Sequence, residues 1–142
     1  MNAKRLKVPP IKPQGLIQCW ITPIGFGLLF LYLLRYVLFI GYVPSVSMEP
    51  AINKDSFIFG VRIIRTLNHG DIIIFKHLDL LVVKRVDALP GDRVQIGGDV
   101  LTVPKGHCYV LGDNRMDSID SRYWDDPYVP LELIIAKLWP MR

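Results

Sequence analysis

"DIIIFKHLDLLVVKRVDALPGDRVQIGGDVLTV" (Asp71–Val103) is the stretch that decides the fold. It contains four short runs rich in Ile, Val, Leu and Phe: "DIIIFKH", "LLVVKRVDA", "DRVQI" and "DVLTV". Branched and aromatic residues in short runs, bounded by turn residues, predict strands. The turn signals are "LPGD" (89–92) and "GGD" (97–99). Gly97-Gly98 within "QIGGDVL" predicts a tight hairpin. Outward from this stretch, "SFIFGVRII" (56–64) precedes it behind the turn "NHGD" (68–71). "CYVLG" (108–112) and "ELIIAKLW" (132–139) follow, after "PKG" (104–106). Short strands at this spacing predict a mainly β domain, an antiparallel sheet closed into a small barrel or sandwich. The sequence contains no internal repeat, low-complexity run or nucleotide-binding glycine loop.

The 142 residues suffice for one domain with one core, yet half of them are hydrophobic. That is too apolar for an ordinary soluble domain unless part of the chain sits in lipid. Leu16–Leu34 supplies that part: it contains no charged residue and, as a helix, covers about 28 Å, close to a bilayer's hydrocarbon thickness. Lys4, Arg5, Lys7 and Lys12 precede it with no acidic residue, and they account for the whole formal charge of +4. The remaining chain is neutral, so no nucleic-acid partner is expected. The basic head predicts a cytoplasmic tail (1–15), a retained transmembrane anchor (16–34) in contact with membrane lipid, and an extracytoplasmic domain (35–142). Arg35 then snorkels at the outer interface. "YVLFIGYV" (36–43) reads equally as more helix or as an extended segment lying on the membrane surface. Cys19 lies in the span and Cys108 in the domain, so no disulfide is expected, and Cys108 reads as a small buried residue.

Two stretches carry candidate chemistry. In "LLVVKRVDA", alternation places Val82, Lys84 and Val86 on one face and Leu81, Val83 and Arg85 on the other. A lysine between valines is commonly an edge-strand lysine that blocks aggregation. If desolvated, its pKa falls and a neutral amine is available as a general base. "GDNRMDSIDSR" (112–122) places Ser118, Asp120 and Arg122 at alternate positions, a polar brace if extended and a solvated loop otherwise. His69, His77 and His107 have no distinguishing neighbours, which leaves a serine–histidine–aspartate triad open. No His or Cys pair has metal-ligand spacing, so neither metal nor cofactor is expected.

With "VPSVSMEP" (43–50) added, the pieces resemble one family, the type I signal peptidases, which are membrane-anchored serine–lysine proteases. "PSVSMEP" is similar to the family's nucleophile segment, "KRVDALPGD" (84–92) to its general-base segment, and "GDNRMDSIDSRYW" (112–124) to its third segment. All three occur in the family's order behind one N-terminal span. The resemblance implies Ser47 as nucleophile and Lys84 as general base. It implies an oxyanion hole from the Ser45 hydroxyl and the Ser47 N–H, and Ser118 orienting the lysine amine. Asp120 and Arg122 would form a fixing salt bridge, and Val43, Met48, Ile52, Val82 and Val83 would line shallow pockets for small side chains. It further implies that signal-peptide-bearing preproteins are the partners, cut after Ala-x-Ala-like sites at the outer face of the cytoplasmic membrane.

The chain departs from the family in two places. Only nineteen residues (93–111) separate the second and third segments, where bacterial relatives often carry a long insertion. "DDPYVP" (125–130) stands where the family usually has a glycine and a shorter path to Val-Pro. "VPKGH" and "KLWP" also resemble the mitochondrial inner-membrane peptidases, whereas "LPGD" and "GDNR…DSRYW" favour the bacterial branch. Other readings are a pilin- or conjugation-processing relative, and a non-enzymatic membrane-anchored assembly factor on the same fold. A self-cleaving repressor is disfavoured by the apolar span.

Overall fold

The computed structural model of the chain describes residues 13–138, with side chains from Trp20 onward. The four basic residues of the expected tail, the Cys19 side chain and Trp139 lie outside the described residues. The chain divides into two compact units between Arg35 and Tyr36.

The first unit contains helix α1 (Pro13–Tyr32), and a π-helical turn (Leu33–Val37) follows it. Every residue from Trp20 to Tyr32 is exposed, and most are apolar. A helix that is apolar on all sides and buries none of them suits lipid, not water. By length and composition, Trp20–Val37 is one helical stretch able to cross a bilayer.

The second unit is mainly antiparallel β. Its strands are β1 (Leu38–Val43), β2 (Ser56–Val61), β3 (Ile72–His77), β4 (Leu80–Ala88), β5 (Arg93–Ile96), β6 (Asp99–Thr102), β7 (His107–Leu111), β8 (Val129–Pro130) and β9 (Ile134–Leu138). Seven of them form one sheet in the order β1-β2-β9-β3-β4-β7-β8, while β5 and β6 form a separate hairpin. The choice left open for residues 36–43 resolves in two parts: Tyr36 and Val37 end the π-helical turn, and Leu38–Val43 is a strand that pairs with β2 along its whole length. Phe39 and Val43 turn into the core while Leu38, Ile40 and Tyr42 face out. All of these are apolar, so the alternation that marks a strand is invisible in composition.

The expected hairpin is present: Ile96 pairs with Asp99, and Gly97 and Gly98 adopt φ of 60° and 103°. Both turn positions need left-handed backbone, which glycine adopts without steric penalty. "ELIIAKLW" opens with a 3₁₀ turn, Leu131–Leu133, before β9 begins. β9 then inserts between β2 and β3, so the late part of the chain completes the middle of the sheet.

Two apolar clusters flank β4. Phe39, Val43, Met48, Ile52, Ile58, Ile72 and Ile74 belong to the first, against which Val83 packs. Ile73, Phe75, Val86, Cys108, Val110 and Val129 form the second, against which Val82 packs. The alternation expected along β4 is therefore present, one face to each cluster. Cys108 is a buried free thiol, and burial pushes its pKa up to about 12, so it stays protonated and inert.

Candidate active site

Lys84 is 3% exposed, on the β4 face between Val82 and Val86. Burial lowers its pKa, a nearby Asp120 charge opposes that, and the Arg122 charge adds to it. Among the described residues Lys84 Nζ makes no hydrogen bond or ion pair. Little therefore repays the desolvation of an ammonium here, which shifts the balance towards the neutral amine.

Ser47 lies in the loop between β1 and β2, and it is buried. The loop is tied internally by Glu49 N–H to the Val46 carbonyl (3.1 Å), Ile52 N–H to the Met48 carbonyl (2.8 Å) and Asp55 N–H to the Val43 carbonyl (2.7 Å). Ser45 Oγ lies 3.3 Å from Ser47 Oγ, so the two hydroxyls are within hydrogen-bonding distance. Met48 and Ile52 anchor the loop from below as core residues.

The third segment joins these two. Pairing of β4 with β7 starts at Arg85 and Leu111, so Lys84 and Gly112 are the next residues outward. Gly112 is buried, and a Cβ there would come within 2.6 Å of the Ser47 carbonyl oxygen and collide with the Ser118 hydroxyl. A backbone without a side chain is what lets all three segments meet at this point. Asn114 then clamps the Ser47 loop: its N–H donates to the Ser47 carbonyl (3.1 Å) and its Nδ2 to the Val46 carbonyl (3.3 Å).

Asp120, fully buried, is the hub of the brace. Its Oδ2 accepts from the Gly112 N–H (2.9 Å), the Ser118 hydroxyl (2.8 Å) and an Arg122 guanidinium nitrogen (3.0 Å). Its Oδ1 accepts from Arg122 Nε (2.8 Å) and Arg122 N–H (3.3 Å). Burial pushes the carboxyl pKa up, but the Arg122 guanidinium, the Gly112 and Arg122 N–H groups and the Ser118 hydroxyl outweigh it and hold it below the ordinary range. Ser118 spends its proton on Asp120, which leaves its oxygen lone pairs as the feature it offers to other donors.

Residues with no role in the sequence reading also fasten the site. Arg85 makes a two-pronged ion pair with Asp113 (2.7 and 2.6 Å) and donates to the Gly70 carbonyl, which locks the second segment to the third. Ser121 exchanges two hydrogen bonds with Val110 and pins the brace to β7. Trp124 stacks on His77 (4.0 Å between ring centroids). In the departing loop, Asp126 accepts from the Tyr128 N–H, and the turn returns Val129 to pair with Cys108. Of these, Arg85 and Asp113 were legible as charges inside the second and third segments, and no pattern linked them.

Of the five expected pocket residues, Val43, Met48, Ile52 and Val83 come together in the first cluster. Val82 lies on the opposite face of β4, in the second. The three histidines are engaged elsewhere: His69 with Asp92 (2.6 Å), His77 with Trp124, and His107 with the Lys105 carbonyl. None of these contacts involves Ser47.

The family model described as signal peptidase, peptidase S26, matches residues 17–103 and 98–140. The chain is 32% identical to the signal peptidase I of Leptolyngbya laminosa, over 70% of this chain and 68% of that protein. It is 30% identical to a probable signal peptidase I-2 of Synechocystis sp., over 70% and 62%. A mitochondrial inner membrane protease subunit 1 of Mus musculus is 35% identical, over 66% and 65%. The chain thus spans less than two thirds of the length of several curated relatives.

Proposed function

We propose, since this chain belongs to the signal peptidase family, peptidase S26, that it is a membrane-anchored serine endopeptidase that cuts signal peptides from exported preproteins after small-x-small sites. The observation that carries this reading is the buried, unpaired Lys84 one residue outward of the Arg85–Leu111 pair, level in register with Gly112, whose missing side chain admits both the Ser47 loop and Ser118. A serine hydroxyl becomes a competent nucleophile only when a base takes its proton, and a neutral lysine does so.

In this reading Ser47 Oγ attacks the scissile carbonyl carbon and its proton passes to Lys84 Nζ. The oxyanion is met by the Ser47 N–H and the Ser45 hydroxyl, each such donor contributing about 3 kcal/mol. The C–N bond breaks as the Lys84 ammonium returns the proton to the leaving amine. A water then gives a proton to Lys84 and attacks the acyl carbon; the C–Oγ bond breaks as Lys84 passes that proton to Ser47 Oγ, which frees the new carboxyl group and restores the neutral amine. Ser118, whose hydroxyl donates to Asp120 and makes no bond to Lys84 in this structure, is the proposed acceptor that orients the lysine amine during the reaction, and Asp120 and Arg122 hold Ser118.

β4 has no strand partner on its outer side before Arg85 among the described residues, which suits an extended peptide adding its backbone along Val82–Lys84. Val43, Met48, Ile52, Val82 and Val83 are the proposed walls for small side chains, with Val82 reaching the substrate from the other face of β4. The organisation proposed is a cytoplasmic tail (1–15), a span (16–34) and an extracytoplasmic domain (35–142), at the outer face of the cytoplasmic membrane. Similarity to the mitochondrial proteases fits the same chemistry in an inner membrane.

The test is cleavage of a preprotein bearing an Ala-x-Ala site by the intact chain in detergent. Ser47→Ala and Lys84→Ala should each lower the rate by about 10³-fold or more. Full activity in either variant sinks the dyad.

A further inference from the structure

The turn between β3 and β4 breaks a local rule. His77 pairs with Leu80, so Leu78-Asp79 forms a two-residue hairpin loop, a setting that favours Asn and Gly because φ > 0 is required. Position 78 is instead a leucine at φ of 53°. A bulky side chain is disfavoured in the left-handed region, and Leu78 recovers nothing by burial, being 82% exposed. Leu80 and Leu81 beside it are 70% and 57% exposed. The hairpin is held at its base, where Trp124 stacks on His77 and meets Phe75 edge-on. An apolar tip on a fixed base, kept at a local conformational cost, suits contact with something outside the domain.

The tip's place in the sheet says what. Leu80, Val82 and Lys84 lie on one face of β4, on the segment whose outer side has no strand partner among the described residues. At ~3.3 Å per residue, Leu80 is about 13 Å from Lys84 along the strand. A peptide with its scissile carbonyl at Ser47 and running parallel to β4 along this edge brings the residues four or five positions before the cut to the tip. Signal peptides carry small residues at the cut and an apolar stretch of about 7–15 residues before it.

We infer that Leu78, Leu80 and Leu81 receive the start of the substrate's apolar stretch and make the enzyme read that stretch as well as the cleavage site. The inference rests on the signal-peptidase reading above. It is tested with the intact chain in detergent and two peptides sharing one small-x-small site, one ending about five residues before the cut and one carrying the full apolar stretch. In the variant Leu78→Asn/Leu80→Thr the asparagine suits the turn, and a thermal melt verifies folding.

The short peptide should keep its kcat/KM within about twofold, and the long one should lose about tenfold through KM. Serines in place of the peptide's apolar residues should reproduce the loss in the wild type and add nothing in the variant. Equal loss on both peptides, no loss on either, or a loss seen only in lipid vesicles would overturn the inference, the last assigning the tip to the bilayer. If the wild type cleaves neither peptide, the peptidase reading itself falls, and this one with it.

Discussion

At Lys84 a four-carbon side chain and its amine lie between Val82 and Val86, almost wholly removed from water. The folded pKa is lowered, chiefly by burial, so between that value and the ordinary lysine value the unfolded chain binds more protons than the folded one. The destabilisation is full below the folded value and fades as pH rises towards the ordinary one. Lys84→Met should therefore raise the melting temperature at neutral pH, converge with the wild type in the alkaline range, and lower cleavage by about 10³-fold. Paired thermal melts across pH check this, and a variant less stable at neutral pH would contradict the account. Asp120 has the opposite sign: its lowered pKa gives stability that is present above the ordinary aspartate range and lost as pH falls through the folded value.

At the scale of elements, the site is three chain segments brought to one point by the β4–β7 pairing. Gly112→Ala tests that convergence, since the new methyl meets the Ser47 carbonyl and the Ser118 hydroxyl. It should destabilise by about 1–3 kcal/mol and cut activity at least tenfold, read by melting and by kcat/KM; wild-type values would mean that the segments meet differently. The sequence marked most of these elements because β3 to β6 have Ile/Val-rich runs with glycine turns between them. β1 was hidden because "YVLFIGYV" is apolar on both of its faces, and β8 because two residues carry no period. Alternation set Lys84 between valines and Ser118, Asp120 and Arg122 on one side, and only the resemblance to the family gave them roles. Gly112, Asn114 and the Arg85–Asp113 pair did not stand out, because their roles are contacts between distant segments, and no local spacing encodes those.

At the scale of the whole molecule, an apolar helix with no buried face leads through a π-helical turn into the first strand, and Ser47 follows within a few residues of that strand. Trp20–Tyr32 is exposed throughout, and the length and composition of the helix alone mark it. The balanced charge of residues 16–142 was legible in the same way. The activity proposed for the chain as a unit rests on a neutral lysine serving Ser47. The most direct measurement is kcat/KM of the intact chain on a preprotein from about pH 5 to about pH 10, with Ser47→Ala as the blank. The account predicts a rate that climbs with pH as Lys84 loses its proton, and no signal from the blank. A flat profile, or a rate that survives in Ser47→Ala, would contradict it.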